Sequence, residues 1–279
     1  MKKKLFVLFV LLTLLFSLSG CKRSGDESLA NYNFKQGYGE VKISLLPNTP
    51  PEKIYPGSDF KIIAQIENLG AYDTTELKVG VNGLDKNYFI LENSVQNIPL
   101  LEGRSLLAPS GGKNYLELSG KAQKLKSNVL EYRGKYFIVL KYKSTLDFAD
   151  TVCLNPNFYE VYDAGCKVES KKTYSGQGGP LAITELEEII IPGDTPSVEF
   201  RFTLENRGQG KTGKITLTTP GKMSGKELTC NFKTTEEEQK TMLVCKGALE
   251  KGNSYTTTLT AGLSYDYSYQ EEHELVMMR

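Results

Sequence analysis

From about residue 38 onward, apolar and polar positions alternate with a period of two, which predicts strands with one buried face rather than helices. Val198, Phe200, Phe202 and Leu204 fall on one side of such a strand, and Glu199, Arg201, Thr203 and Glu205 on the other. An earlier segment repeats the design. Tyr55-Pro56-Gly57 leads into Phe60 to Ile66 and exits at Glu67-Asn68-Leu69-Gly70; Ile191-Pro192-Gly193 leads into Val198 to Leu204 and exits at Glu205-Asn206-Arg207-Gly208. The Asn-x-Gly exit suits a turn, because Asn can bond its own backbone and both residues tolerate positive φ. Later strands correspond as well: Leu140-Lys141-Tyr142 through Val152-Cys153-Leu154 lies alongside Leu263-Ser264-Tyr265 through Leu275-Val276-Met277. The chain therefore carries two related β units.

Helical patterning is scarce. Glu236-Glu237-Glu238-Gln239-Lys240 could turn helically, but between Cys230 and Cys245 it reads as the tip of a hairpin. Asn82-Gly83 and Ser110-Gly111-Gly112 mark further turns, and Lys171 to Pro180 has the composition of a linker. Many short strands punctuated by Gly and Pro imply sandwiches of two sheets.

The first 21 residues follow another pattern. Lys2, Lys3 and Lys4 precede an unbroken apolar stretch from Leu5 to Leu12, then more Leu and Phe to Leu18 and the junction Ser19-Gly20-Cys21. A charged segment, an apolar segment and small residues before a cleavage point make a secretory signal. Leu18-Ser19-Gly20-Cys21 resembles the lipobox of bacterial and archaeal lipoproteins, which implies that Cys21 is lipidated and becomes the mature N-terminus. The rival is an uncleaved membrane helix, but Leu5 to Leu18 is 14 residues against the roughly 20 that a bilayer span requires.

Removing residues 1–20 takes three lysines and leaves 31 basic against 33 acidic side chains. So balanced a chain has no electrostatic footprint for nucleic acid. Five cysteines are an odd number that the lipobox makes even: with Cys21 acylated, Cys153, Cys166, Cys230 and Cys245 remain. Four cysteines permit three pairings. Proximity and an oxidising exterior favour Cys153–Cys166 and Cys230–Cys245 over zinc ligation, for which the spacing is too wide and histidine too distant.

The alternating strand running into Glu-Asn-x-Gly, with its later Leu-x-Tyr strand, resembles the immunoglobulin-like CARDB group of cell-adhesion-related domains of bacterial and archaeal surface proteins. The resemblance covers about 38–155 and 181–279; the first copy departs from it by a longer middle, Asn87 to Asn128. Tyr174 to Pro180 before Ala182-Ile183-Thr184 is similar to a junction in archaeal secreted proteins. The expected architecture is all-β, with two immunoglobulin-like β-sandwich domains in tandem after an N-terminal signal peptide. Its segments are 1–20 signal peptide, 21–37 lipidated tether, 38–167 first sandwich, 168–180 linker and 181–279 second sandwich.

Catalytic chemistry finds little purchase. His273, the only histidine, stands in Glu271-Glu272-His273-Glu274, where alternation with glutamates places it on a solvated strand face. Gly208 to Lys214 contains Gly-Lys-Thr, but the phosphate loop would need glycine where Glu205 stands, and a helix where Ile215-Thr216-Leu217-Thr218 is strand-like. Gly176-Gln177-Gly178-Gly179 likewise lacks the strand and helix of a dinucleotide loop. Asp147, Asp150 and Asp163 fall short of the six or more oxygens calcium takes. Tyr265, Tyr267 and Tyr269 share the parity of Leu259, Ala261 and Leu263, so they extend a buried face instead of forming a sugar platform.

No catalytic residue, metal site or cofactor is assigned. The expectation is a non-enzymatic, lipid-anchored module on the outer face of a membrane, presenting its domains for adhesion or envelope assembly to a protein or envelope-polymer partner. Alternatives are a subunit of a membrane-bound secretion or envelope complex, and a carboxylate-dependent extracellular hydrolase.

Overall fold

The computed structural model describes residues 33–156, 165–234 and 241–279. The expected signal peptide, Cys21, Asp163 and the hairpin tip at Glu236 to Lys240 lie outside them. Fifteen strands make up the described residues, with no helix among them. The first copy supplies β1 (Val41–Leu45), β2 (Asp59–Asn68), β3 (Thr74–Asn82), β4 (Phe89–Leu91), β5 (Val95–Leu101), β6 (Lys113–Ala122) and β7 (Glu131–Leu154). Next come β8 (Lys171–Thr173), β9 (Leu181–Ile191), β10 (Ser197–Asn206), β11 (Lys211–Met223), β12 (Lys226–Glu227), β13 (Thr229–Thr234), β14 (Thr241–Ala248) and β15 (Tyr255–Met278). The protein is all-β, built as immunoglobulin-like sandwiches.

Three sheets arise, ordered β1-β2-β6-β4, β13-β14-β10-β9-β8 and β12-β11-β15-β7-β3-β5. The last is shared by both copies. β7 and β15 pair antiparallel over their full 24 residues, from Glu131↔Met278 to Leu154↔Tyr255. β3 flanks only the first half of β7, ending at Thr75↔Lys143, and β11 flanks only the first half of β15, ending at Lys211↔Ser268. The second half of each long strand thus leaves its own copy and becomes the edge strand of the other. Lys143 and Asp266, equivalent in the repeat, face each other at the centre, so the exchange is reciprocal about a pseudo-two-fold axis.

The cores record the same exchange. Phe148 of β7 meets Phe202 of β10 edge to face, centroids 5.4 Å apart. At the opposite end, Ile54 N–H donates to Val276 O (2.8 Å) and Met278 N–H to Ile54 O (3.0 Å). Buried side chains from both copies form one cluster, and Phe34–Arg279 is a single compact unit. The expected sandwiches at 38–167 and 181–279, either side of a linker at 168–180, are not separate compact bodies, because each copy's sheet is completed by the other's long strand.

The glycine-rich segment is part of the body. β8 lies within it, and Gly176 to Pro180 are buried. Gln177, 7% exposed, clasps Ile183 with Nε2 donating to its carbonyl (3.0 Å) and Oε1 accepting from its N–H (2.8 Å). Gly178 has φ +83°, and a Cβ there would lie 2.4 Å from Phe34 O. Close backbone approach explains the glycines that composition alone reads as slack. The body also reaches further into the expected tether: Gly37 bridges Gln177 in parallel, so Phe34 to Gly37 are structured.

Candidate functional site

The Asn-x-Gly turns organise the junction between the sandwiches. Asn68 Oδ1 accepts from Gly70 N–H (2.9 Å) while Nδ2 donates to Tyr72 O (2.9 Å). Asn206 repeats both bonds, from Gly208 N–H (3.1 Å) and to Gly210 O (2.7 Å). Each turn then docks equivalently: Leu69 N–H donates to Glu40 O (3.1 Å) and Arg207 N–H to Pro180 O (2.7 Å).

At Glu40 the side chain adds its own bonds. Oε2 accepts from Tyr267 O–H (2.6 Å), and both carboxylate oxygens lie 3.2 Å from Gln209 N. Gly210 N–H donates to the Tyr267 hydroxyl (2.7 Å). Burial, reinforced by the bond to Glu40, pushes ionisation of Tyr267 far up, so the phenol stays a donor. This clamp fixes one wall of a cleft of about 520 Å³ lined by Tyr38, Glu40, Lys42, Arg104, Gln209, Tyr269 and Glu271 over Val41, Ile43 and Leu69.

The cleft exists because two strand edges face each other unpaired. β1 pairs with β2 alone, and β15 beyond Ser268 pairs with β7, apart from the bridge at Met277. The inner face of β15 carries Tyr269, Glu271, His273 and Leu275 in succession. His273 is therefore not on the solvated face: its odd parity is that of Tyr265 and Tyr267, and its side chain is 18% exposed, against the ring of Tyr136 (5.4 Å between centroids). Its Nε2, 3.6 Å from Glu271 Oε1, has no hydrogen-bond partner, nor has the Tyr136 hydroxyl. Ionisation of that hydroxyl is raised by burial and by Glu271.

The equivalent mouth in the second sandwich is closed. β8 pairs with β9 and sends Lys172 Nζ to Asp150 Oδ2 (3.1 Å) and Thr151 O (2.6 Å). Tyr174 O–H donates to the same Asp150 oxygen (2.6 Å). Burial opposes ionisation of Asp150, but the bonds from Tyr174 and Lys172 prevail and hold its carboxyl below the ordinary value. Nearby, Glu188 is 5% exposed with Oε1 unpartnered, and desolvation pushes its pKa to about 7 against some relief from Lys172. The disulfide Cys153–Cys166 fastens this side, and Cys230–Cys245 joins β13 to β14 where the two residues stand directly opposite.

Asp147 and Asp150 lie on opposite faces of β7 and cannot share a cation; Asp147 pairs with Lys35 (3.0 Å). Among the described residues no three His, Cys, Asp or Glu side chains gather as metal ligands, and none forms a helix long and apolar enough to cross a membrane. Tyr265 and Tyr267 are core, as their parity implies, while Tyr269 reaches the cleft. The convergence of Glu40, Arg104, Gln209 and Glu271 is not legible in any one stretch of the sequence. The available signal was parity: Glu271 and His273 continue the buried face of the preceding tyrosines.

No family model and no curated protein matches the chain. Among solved structures, the C-terminal domain of the Streptococcus pyogenes antigen I/II-family protein AspA aligns over 87% of this chain and 100% of that one, with 7% identity and a TM-score of 0.18. A Salmonella alpha-2-macroglobulin variant aligns over 86% of this chain and 17% of that one, with 11% identity and a TM-score of 0.16. At such scores neither likeness carries a functional argument.

Proposed function

We propose that this protein is a non-enzymatic binding module of the cell envelope, lipid-anchored through Cys21 and engaging a membrane-proximal protein or envelope polymer at the open mouth of its first sandwich. The observation that supports this reading is the asymmetry of the two mouths. Where the second sandwich covers its edge with β8, Lys172 and a disulfide, the first leaves two strand edges uncovered above a cleft lined by polar and charged side chains. Exposed strand edges are templates for pairing, and tyrosines with mixed charges suit a polar partner. Tyr38 at the cleft's lip stands 17 residues after Cys21, a covalent reach of at most about 60 Å. That range favours envelope assembly over contact with a distant cell. The lipobox and the CARDB-like repeat belong to the same reading.

The test is saturable binding of the anchored full chain to isolated envelope fractions. Glu271→Lys should weaken binding at least tenfold while the free energy of unfolding stays within about 0.5 kcal/mol; binding that is unaffected removes the cleft from the function. A second reading has one observation behind it: Glu40 and Glu271 line the same cleft, and a pair of carboxylates is what a glycosidase uses. Turnover of a glycoside, peptide or ester that Glu40→Gln or Glu271→Gln abolishes would establish the hydrolase instead.

A further inference from the structure

The longer middle of the first copy carries a feature with no counterpart among the described residues of the second. Between β5 and β6 the chain exposes two consecutive leucines, Leu106 at 59% and Leu107 at 98%. Scattered exposed leucines are ordinary. These are not on a slack loop. Gly103 N–H donates to Asp73 Oδ1 (2.8 Å), Arg104 N–H to Gly70 O (2.7 Å), Ser105 N–H to Ala108 O (3.0 Å) and Gly112 N–H to Glu102 O (2.8 Å). Ala108 N–H donates to Ser105 Oγ (3.1 Å), closing a tight tip. Backbone bonds on both sides of the tip hold the loop that carries the exposed leucines.

The loop's position identifies its partner. The Arg104 guanidinium at its base lies over the ring of Phe34, 5.8 Å from the centroid, and Phe34 is where the compact body begins. Cys21 precedes Phe34 by 13 residues, at most about 45 Å of chain. The two leucines therefore project beside the root of the segment that leads to the lipidation site. Paired apolar side chains on a rigid loop, with a cation at its base, match the boundary between acyl chains and headgroups. We propose that the Arg104 to Ala108 loop docks into the membrane surface through Leu106 and Leu107, giving the anchored protein a second attachment point and a fixed orientation. This rests on the lipid-anchor reading, and it sets the neighbouring cleft, of which Arg104 is a wall, at the membrane side of the molecule.

The experiment reconstitutes the full chain in phosphatidylethanolamine–phosphatidylglycerol vesicles with nitroxide-bearing acyl chains, carrying an environment-sensitive fluorophore at Leu107→Cys or, as control, Lys251→Cys. Docking predicts several-fold stronger quenching at 107 than at 251, and Leu106→Ser should reduce the quenching at 107. Equal quenching at the two positions overturns the proposal, as does a 107 probe that is shielded only when an envelope protein fraction is added. Mass analysis of the N-terminal peptide separates this from the anchor: an unquenched 107 probe overturns docking whether or not Cys21 is acylated, whereas a quenched probe on a chain lacking the acyl group upholds docking and removes the anchor.

Discussion

The two sandwiches share one repeat and one reciprocal exchange of strands, yet their mouths have gone opposite ways. In the second, polar groups at the edge are matched inward: Asp150 takes bonds from Lys172 and Tyr174, β8 covers the edge of β9, and Cys153–Cys166 fastens the flank. In the first, the facing edges of β1 and β15 are uncovered, and Lys42, Tyr269 and Glu271 line the cleft between them. A buried or half-buried polar group stabilises only when it is paired. The bonds to Asp150 thus help hold the second mouth, where Glu188 Oε1 is the exception, buried and unpaired; the first mouth keeps its strand edges uncovered.

Separating the copies should have the largest effect. Residues 181–279 expressed alone should lack a cooperative thermal transition, a loss on the order of the whole 5–15 kcal/mol of a domain, because β15 would lose β7 along its whole length and its second half would have no ladder partner at all. A sharp transition in that fragment would break the account of a shared sheet. In the intact protein, limited proteolysis should spare Gly176 to Pro180.

Opening the closed mouth comes next. Cys166→Ser removes a cross-link over 13 residues, worth about 3 kcal/mol in the chain-entropy model; chemical denaturation of the two forms measures it. Glu188 tests the same region by pH. Its folded pKa, about 7, lies above the ordinary 4.5, so the folded state binds the proton more tightly. Stability should fall as pH rises from about 4.5 to about 7, by up to about 3 kcal/mol. Glu188→Gln should flatten that dependence and be the more stable protein at pH 8. A wild-type profile flat over this range would show that Glu188 is not desolvated as described.

Lys172→Met leaves Asp150 with one donor fewer and should cost about 1–3 kcal/mol. Asp150 itself acts in the opposite pH sense to Glu188: with its folded pKa depressed, its stabilisation is present above the ordinary value of 3.8 and is lost as pH falls through the folded one. At the open mouth, Glu271→Gln should change stability by less than about 0.5 kcal/mol while weakening partner binding. A Glu271 variant as destabilised as the Lys172 variant would erase the distinction between the mouths.

Much of the fold was legible in local pattern. Period-two alternation located β2, β10 and the two long strands, the Asn-x-Gly exits announced their turns, and proximity paired the cysteines. Two inferences went astray for one reason. Composition made Gly176 to Pro180 a linker, and flanking glutamates put His273 in solvent, although each residue's environment comes from a distant segment: Phe34 and Gly37 for the glycines, Tyr136 for the histidine. The cleft was hidden likewise, since Glu40, Arg104, Gln209 and Glu271 come from four separated stretches.

The sequence by itself determined that this chain forms strands, which face of each is buried, that the design occurs twice, and which cysteines lie close enough to pair. These follow from side-chain alternation and short-range chain geometry. Only the tertiary structure decided that β7 and β15 run past their own copies into each other's sheets, closing one mouth and leaving the other open. Alternation specifies a strand's face but not its partner; the partner is chosen by register and packing across more than a hundred residues of chain.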